Sequence, residues 1–184
     1  MDLIATLGGE HKRILRVLSA LERLGVRLTQ GTPVDTHAFL RVITFLRGFA
    51  DGYHHEREEQ VLLKALASLE FSANSGVLEF IRQQHREERV LLSHLEASII
   101  APLPWSNEAI SAITKAIREL VAFEREHMTK ENELLFPEAQ RLFAERGTAD
   151  LERRMERYDR DRAPSWSVTW LEKLGDEIAN DDAS

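Results

Sequence analysis

The stretch 52-GYHHEREEQVLL-63 sets two adjacent histidines four residues ahead of two adjacent glutamates. Residues four apart lie on one helix face, a turn from each other. His54 with Glu58 therefore offers one imidazole nitrogen and one carboxylate to a single point in space. The same spacing recurs at His127 and Glu131 in 127-HMTKENELLFP-137, and in an overlapping register at His55 and Glu59. Imidazole with carboxylate is a ligand set for iron, manganese or zinc. A chain with this many His and Glu residues should show roughly one HxxxE by chance, on the same i, i+4 reasoning. Here there are three.

The elements that must position these residues are helices. The chain has 184 residues, 43% of them apolar, with only nine Gly and five Pro. That composition favours one soluble domain of long, uninterrupted elements. Apolar residues recur at helical spacing. They predict helices over about 3–29, 36–69, 77–100 and 108–146, with Asp35 or Thr36 and Ser106 as N-caps and Gly147 as a C-cap. Pro137 should kink the fourth helix or shift its last turns. Short loops between four helices favour an all-α, antiparallel up-down-up-down four-helix bundle over residues 1–147. The remainder, 148–184, reads as a helical or extended tail packed on the bundle through Trp166 and Trp170.

Composition also excludes chemistry. There are no cysteines, so disulfides, iron–sulfur clusters and thiolate zinc sites are ruled out, and His, Asp and Glu must hold any metal. The formal net charge is −7 with no block of basic residues, which argues against nucleic acid as a partner. No basic leader and no apolar run of membrane-spanning length is present. The expectation is a cytoplasmic protein that does not contact a membrane.

The halves of the chain resemble each other. His11 opens HKRILRVLSALE and, 74 residues on, His85 opens HREERVLLSHLE; 54-HHEREEQVLL-63 matches 127-HMTKENELLF-136 at a shift of 73. The repeat predicts a pseudo-two-fold arrangement in which histidines of all four helices converge. Counting residues from the first loop puts His11 and His54 both about 28 Å from it at roughly 1.5 Å rise per residue. The second half matches to within about one turn.

This pattern, H…HxxxE…H…HxxxE on four antiparallel helices, resembles the hemerythrin-like (HHE cation-binding) proteins. The resemblance covers about Leu7 to Phe143 and rests on two strings: 53-YHHEREEQVLL-63 is similar to the family's "HHxKEExxLF", and 127-HMTKENELLFP-137 to its "HxxxExxxLFP". It implies a non-haem di-iron site ligated by His11, His54, Glu58, His85, His127 and Glu131, with Glu58 and Glu131 bridging; manganese or zinc are the other candidate metals. The chain departs from the oxygen carriers at Arg89, where they have a second third-helix His, and at Asn132, where they have Asp. It departs from the iron-centre repair members at Gln84, where they have Glu.

Some residues read more plainly as structure. His37 and His94 are expected at the surface or satisfied in the core. His55 is open between an extra ligand, a supporting hydrogen-bond donor and a surface neighbour paired with Glu59. Tyr53 is expected packed in the interior. The charges of 56-EREE-59 other than Glu58, and of 86-REER-89, are expected to be solvated. A ferritin-like alternative uses ExxH spacing, Glu124 with His127 and Asp51 with His54. It lacks the inward Glu that such sites need from the other two helices, where this chain has His11 and His85.

The function expected from the resemblance is binding or sensing of O2, NO or peroxide, with weak peroxide consumption as a side activity and no dedicated catalysis. The alternatives are a helical interaction protein with a structural metal, and an iron storage or repair protein.

Overall fold

The computed structural model describes residues 2–69, 75–161 and 168–181, and every regular element among them is a helix. α1 (Leu3–Thr29) is capped by Asp2, whose carboxylate accepts the N–H groups of Ile4 and Ala5. α2 (Thr36–Phe45) starts at Asp35, which accepts from the His37 N–H at 2.9 Å. It runs on through two π-helical stretches, Leu46–His55 and Glu58–Leu62, into α3 (Leu63–Ser68). α4 is Ser75–Ile99, so most of the expected break at 71-FSANSG-76 lies outside the described residues. α5 (Asn107–Lys130), capped by the Ser106 hydroxyl, passes through π-helical Glu131–Leu135 into α6 (Phe136–Arg146). Gly147, with φ +89°, ends α6 in a conformation that suits glycine. α7 (Ala149–Asp161) and α8 (Val168–Asn180) follow. No helix among the described residues is long and apolar enough to cross a membrane.

Two apolar clusters divide the interior. One gathers residues such as Leu18, Leu21, Phe39, Phe49, Leu95 and Leu120; the other gathers Leu7, Val61, Leu66, Ile81, Leu135 and Phe143. α1 meets the second cluster first, at Leu3 to Leu7, and the first cluster from Ile14 on; the α2–α3 helix meets them in the opposite order. α4 repeats the order of α1, and α5–α6 that of α2–α3. Apart from Thr114, the buried polar residues fall at or near the passage from one cluster to the other on each helix.

In the described part of the tail, α8 supplies most of the contact with the rest of the chain. Trp166 lies outside the described residues and Trp170 is half-exposed. α8 buries Leu171, Leu174 and Ile178 in the first cluster, and Arg13 and Arg16 of α1 reach Glu172 and Asp176, each at 3.1 Å. Glycine makes this approach possible. A methyl group at Gly175 would stand 2.5 Å from the Phe45 ring, and one at Gly48 would stand 2.8 Å from Leu171. α7 adds Leu151 and Met155 to the second cluster.

Candidate metal centre

His11 comes from α1, His54 and Glu58 from the π-helical part of the second long helix, His85 from α4, His127 from α5, and Glu131 from the π turn that follows it. All six are buried, none above 1% exposed. The His11 and His54 rings meet edge-on at 4.7 Å, and those of His85 and His127 at 5.0 Å. The two carboxylates lie between the ring pairs. Glu131 places Oε2 3.2 Å from Nε2 of His11 and Oε1 3.3 Å from Nε2 of His127. Glu58 places Oε1 3.7 Å from Nε2 of His54 and Oε2 3.4 Å from Nε2 of His85. Each carboxylate thus gives one oxygen to each imidazole pair.

The outer nitrogen of every ring is held by another side chain. Nδ1 of His54 meets Glu10 at 2.9 Å, and Nδ1 of His127 meets Gln84 at 3.2 Å. Nδ1 of His85 meets Glu59 at 2.8 Å, and Nδ1 of His11 meets Asn132 at 3.1 Å. An ionised Glu59 can only accept, so Nδ1 of His85 donates to it and Nε2 is the nitrogen that faces the carboxylates. Support of this kind fixes the tautomer and aim of metal-binding histidines. The holders follow the repeat as well. Glu10 and Gln84 each precede the His of their own helix, and Glu59 and Asn132 each follow the bridging-position Glu.

The local backbone explains how the glutamates reach inward. The N–H of Leu63 bonds to the carbonyl of Glu58, and that of Phe136 to the carbonyl of Glu131, both five residues back instead of four. Such wide turns add a residue and re-aim side chains. Pro137 accounts for irregularity in the second case, as its position led us to expect. The first has no proline after it; Lys64 stands at the matching position.

The electrostatics call for a cation. Burial, then the charge on Glu131, pushes Glu58 up to about 8. Burial acts the same way on Glu131, but His127, His11 and His85 outweigh it and hold that carboxyl well below the usual range. Burial drives His127 down to about 3 and His54 well below its ordinary value, so both are neutral and ready to ligate. Burial also opposes protonation of His85, yet Glu131, Glu58 and Glu59 raise it well above the usual imidazole value. The four Nε2 atoms and the four oxygens of Glu58 and Glu131 are all buried without a hydrogen-bond partner. Each such group left without a partner costs about 1–3 kcal/mol. Metal ions at the centre of this donor set would satisfy all eight. The ligand atoms fall into two overlapping groups, His11–His54–Glu58–Glu131 and His55–Glu58–His85–His127, each spanning no more than 4.8 Å.

The hemerythrin HHE cation binding domain matches residues 2–139. The chain belongs to the hemerythrin HHE family. No match was found among curated proteins or solved structures.

Within this hemerythrin-like domain, the three departures noted in the sequence have defined places. Gln84 and Asn132 hold His127 and His11, while Arg89 turns away from the centre to pair with Asp51 at 2.6 Å and with Glu59 at 3.4 Å. His37 and His94 are exposed, away from the centre, and Tyr53 is half-buried against the first apolar cluster.

One expectation is corrected, and two open alternatives are closed. His55 is not a surface neighbour of Glu59: it is 1% exposed, stacks on His85 at 4.1 Å, and Glu59 serves His85 instead. Arg57 and Glu88 are not solvated charges but are each 1% exposed. Arg57 is ion-paired with Glu10 and donates to the Tyr53 hydroxyl at 2.7 Å. The ferritin-like set does not assemble among the described residues, because Asp51 is taken by Arg89 and Glu124 groups with His55 and Glu88. The repeat held the signal for Glu10, Gln84 and Asn132, since each lies next to a repeated ligand position. No sequence feature marked Arg57.

Proposed function

We propose that this protein binds two non-haem iron ions, one at His11 and His54 and one at His85 and His127, with Glu58 and Glu131 bridging, and that it binds or senses O2, NO or peroxide in the cytoplasm. The frame of the proposal is an up-down-up-down four-helix bundle over residues 1–147, with 148–184 packed on it as a tail. One observation carries the reading: each buried carboxylate directs one oxygen to each imidazole pair.

Bound ferrous iron would supply the electrons for small-oxidant chemistry that amino-acid side chains lack. The rest falls to the chain. Glu10, Gln84, Glu59 and Asn132 orient the rings. The apolar clusters on either side limit water and so tune the site. Burial of all six ligands favours a diatomic or peroxide-sized partner over a larger substrate. Arg89 and Asn132 remove a His and an Asp that oxygen carriers use, which favours sensing or scavenging over bulk transport. Weak peroxide consumption is an accompanying expectation. Manganese or zinc would fit the same donors.

The test is to load the protein with ferrous iron anaerobically, then admit air, NO or peroxide while recording the near-ultraviolet and visible spectrum. A new near-ultraviolet band of oxo-bridged ferric iron with air or peroxide, or a nitrosyl band with NO, is expected. Both should be lost in His54→Ala and Glu131→Ala together with the iron. An iron-loaded protein whose spectrum does not respond to any of the three would contradict the reading.

A further inference from the structure

Three buried ionisable side chains lie beside the six residues of the paired centre, and one of them, His55, also groups with Glu58, His85 and His127. His55 closes the π-helical stretch Leu46–His55, Glu88 lies one turn beyond His85 on α4, and Glu124 lies one turn before His127 on α5. Each is 1% exposed, and one ligand atom from each lies within 4.8 Å of the others. Nδ1 of His55 stands 2.8 Å from Oε2 of Glu88, yet without the alignment of a hydrogen bond. Both oxygens of Glu88 and Oε1 of Glu124 are likewise buried with no partner.

The repeat shows that packing does not require this polarity. Applying the same shifts of 74 and 73, the counterpart of Glu88 is Ile14, that of His55 is Met128, and that of Glu124 is Asp51. Ile14 and Met128 are core residues, each 1% exposed. Asp51 is only partly buried and is matched by Arg89 at 2.6 Å. One half of the molecule therefore fills this level with two apolar side chains and a carboxylate that already has its arginine. The other half fills it with an imidazole and two carboxylates, the costlier choice by far in a dry interior. Such a set persists at tolerable cost when something neutralises it.

We propose that His55, Glu88 and Glu124 form a third cation site, adjoining the paired centre, for a divalent first-row transition metal ion. Two carboxylates balance the charge of such an ion, and one imidazole with two carboxylates is a donor set for iron, zinc or manganese. In the metal-free protein, protons take the place of the ion: burial pushes Glu88 up to about 7, and burial with the adjacent Glu88 raises Glu124 well above the carboxylate range.

The test compares the full-length protein with Glu88→Ile, which installs the residue that the other half already packs, and with Glu124→Gln. Neither change touches the six residues of the paired centre. Each protein is loaded with excess ferrous iron under anaerobic conditions, desalted, and assayed for iron per chain, with thermal melting as a check on folding. The parent protein should hold one more ion per chain than Glu88→Ile, and Glu124→Gln should need at least tenfold more free iron to retain it. Equal counts in the parent and both variants would overturn the site. The comparison rests on the difference between proteins, so failure of the paired centre would lower all counts and leave this difference in place.

Discussion

Glu59 Oε1 accepts a hydrogen bond from Nδ1 of His85 at 2.8 Å, while the neighbouring Glu58 approaches the other nitrogen of the same ring at 3.4 Å. Two consecutive glutamates thus divide the work on one imidazole: Glu59 fixes it and Glu58 shares its metal-facing side. Truncating them should have unequal effects. Glu59→Ala is expected to weaken metal binding about 10–100-fold while leaving the site able to fill at high metal, the usual result of losing a ligand's support. Glu58→Ala should leave the site largely empty. Metal titration of the two variants checks this, and equal losses would mean that Glu59 is itself a ligand or that Glu58 is not.

Arg57 is a buried cation whose partner, Glu10, supports His54. Removing it leaves a carboxylate in the interior without its counter-charge. Arg57→Met should cost about 3–5 kcal/mol, the range for breaking a buried pair from one side. Adding Glu10→Gln should recover part of that loss. Urea denaturation of the metal-free proteins measures both, and a loss under about 1 kcal/mol for Arg57→Met would show the pair to be incidental.

Metal affinity should rise with pH. In the metal-free protein Glu58 is pushed up to about 8 and His85 is raised well above its usual value, so near neutrality both hold protons that a metal ion must displace. Metal binding therefore releases protons. Apparent affinity climbs as pH increases toward 8 and levels off once these groups are deprotonated. His127, driven down to about 3, is already neutral across this window and adds nothing to the slope. Titrations at pH 6, 7 and 8 check the sign; an affinity that falls with pH would contradict it.

Chelation should loosen the molecule without unfolding it. The apolar clusters on either side of the centre contain no metal-binding residue and span every long helix. A stripped protein is expected to keep its far-ultraviolet circular dichroism at 25 °C and to melt lower than the loaded one, because the buried carboxylates lose their cations. A stripped protein without helical signal would assign the metal a role in folding instead.

How far the sequence foretold this centre can be seen residue by residue. His54, Glu58, His127 and Glu131 stood out because the i, i+4 spacing and the 73-residue shift both picked them, and the structure gathers them with His11 and His85. The rings' supports were less visible. Gln84 and Asn132 looked like departures from a family pattern, because a hydrogen bond between distant helices leaves no local periodicity. Glu88, on the regular helix α4, was expected to be solvated from its charge alone, although it lies one turn beyond His85. Arg57 was expected at the surface, and a surface place was one of those open to His55, for a more specific reason. A regular α-helix turns about 100° per residue, so neighbours such as His54 and His55 should not both face inward. The π-helical stretches at Leu46–His55 and Glu58–Leu62 add a residue to the turn and widen the inward arc. The helical period used to read the chain cannot register that change.

The central claim is that each imidazole pair, His11–His54 and His85–His127, holds its own metal ion with Glu58 and Glu131 between them. A crystal structure of the iron-loaded protein, with anomalous differences recorded at the iron edge, tests it most directly. The account predicts two peaks about 3.5–4 Å apart within the paired centre, each next to one imidazole pair, with both carboxylates reaching both peaks; a peak at His55, Glu88 and Glu124 would be additional to these. A single peak there, or iron bound only away from Glu58 and Glu131, would contradict it.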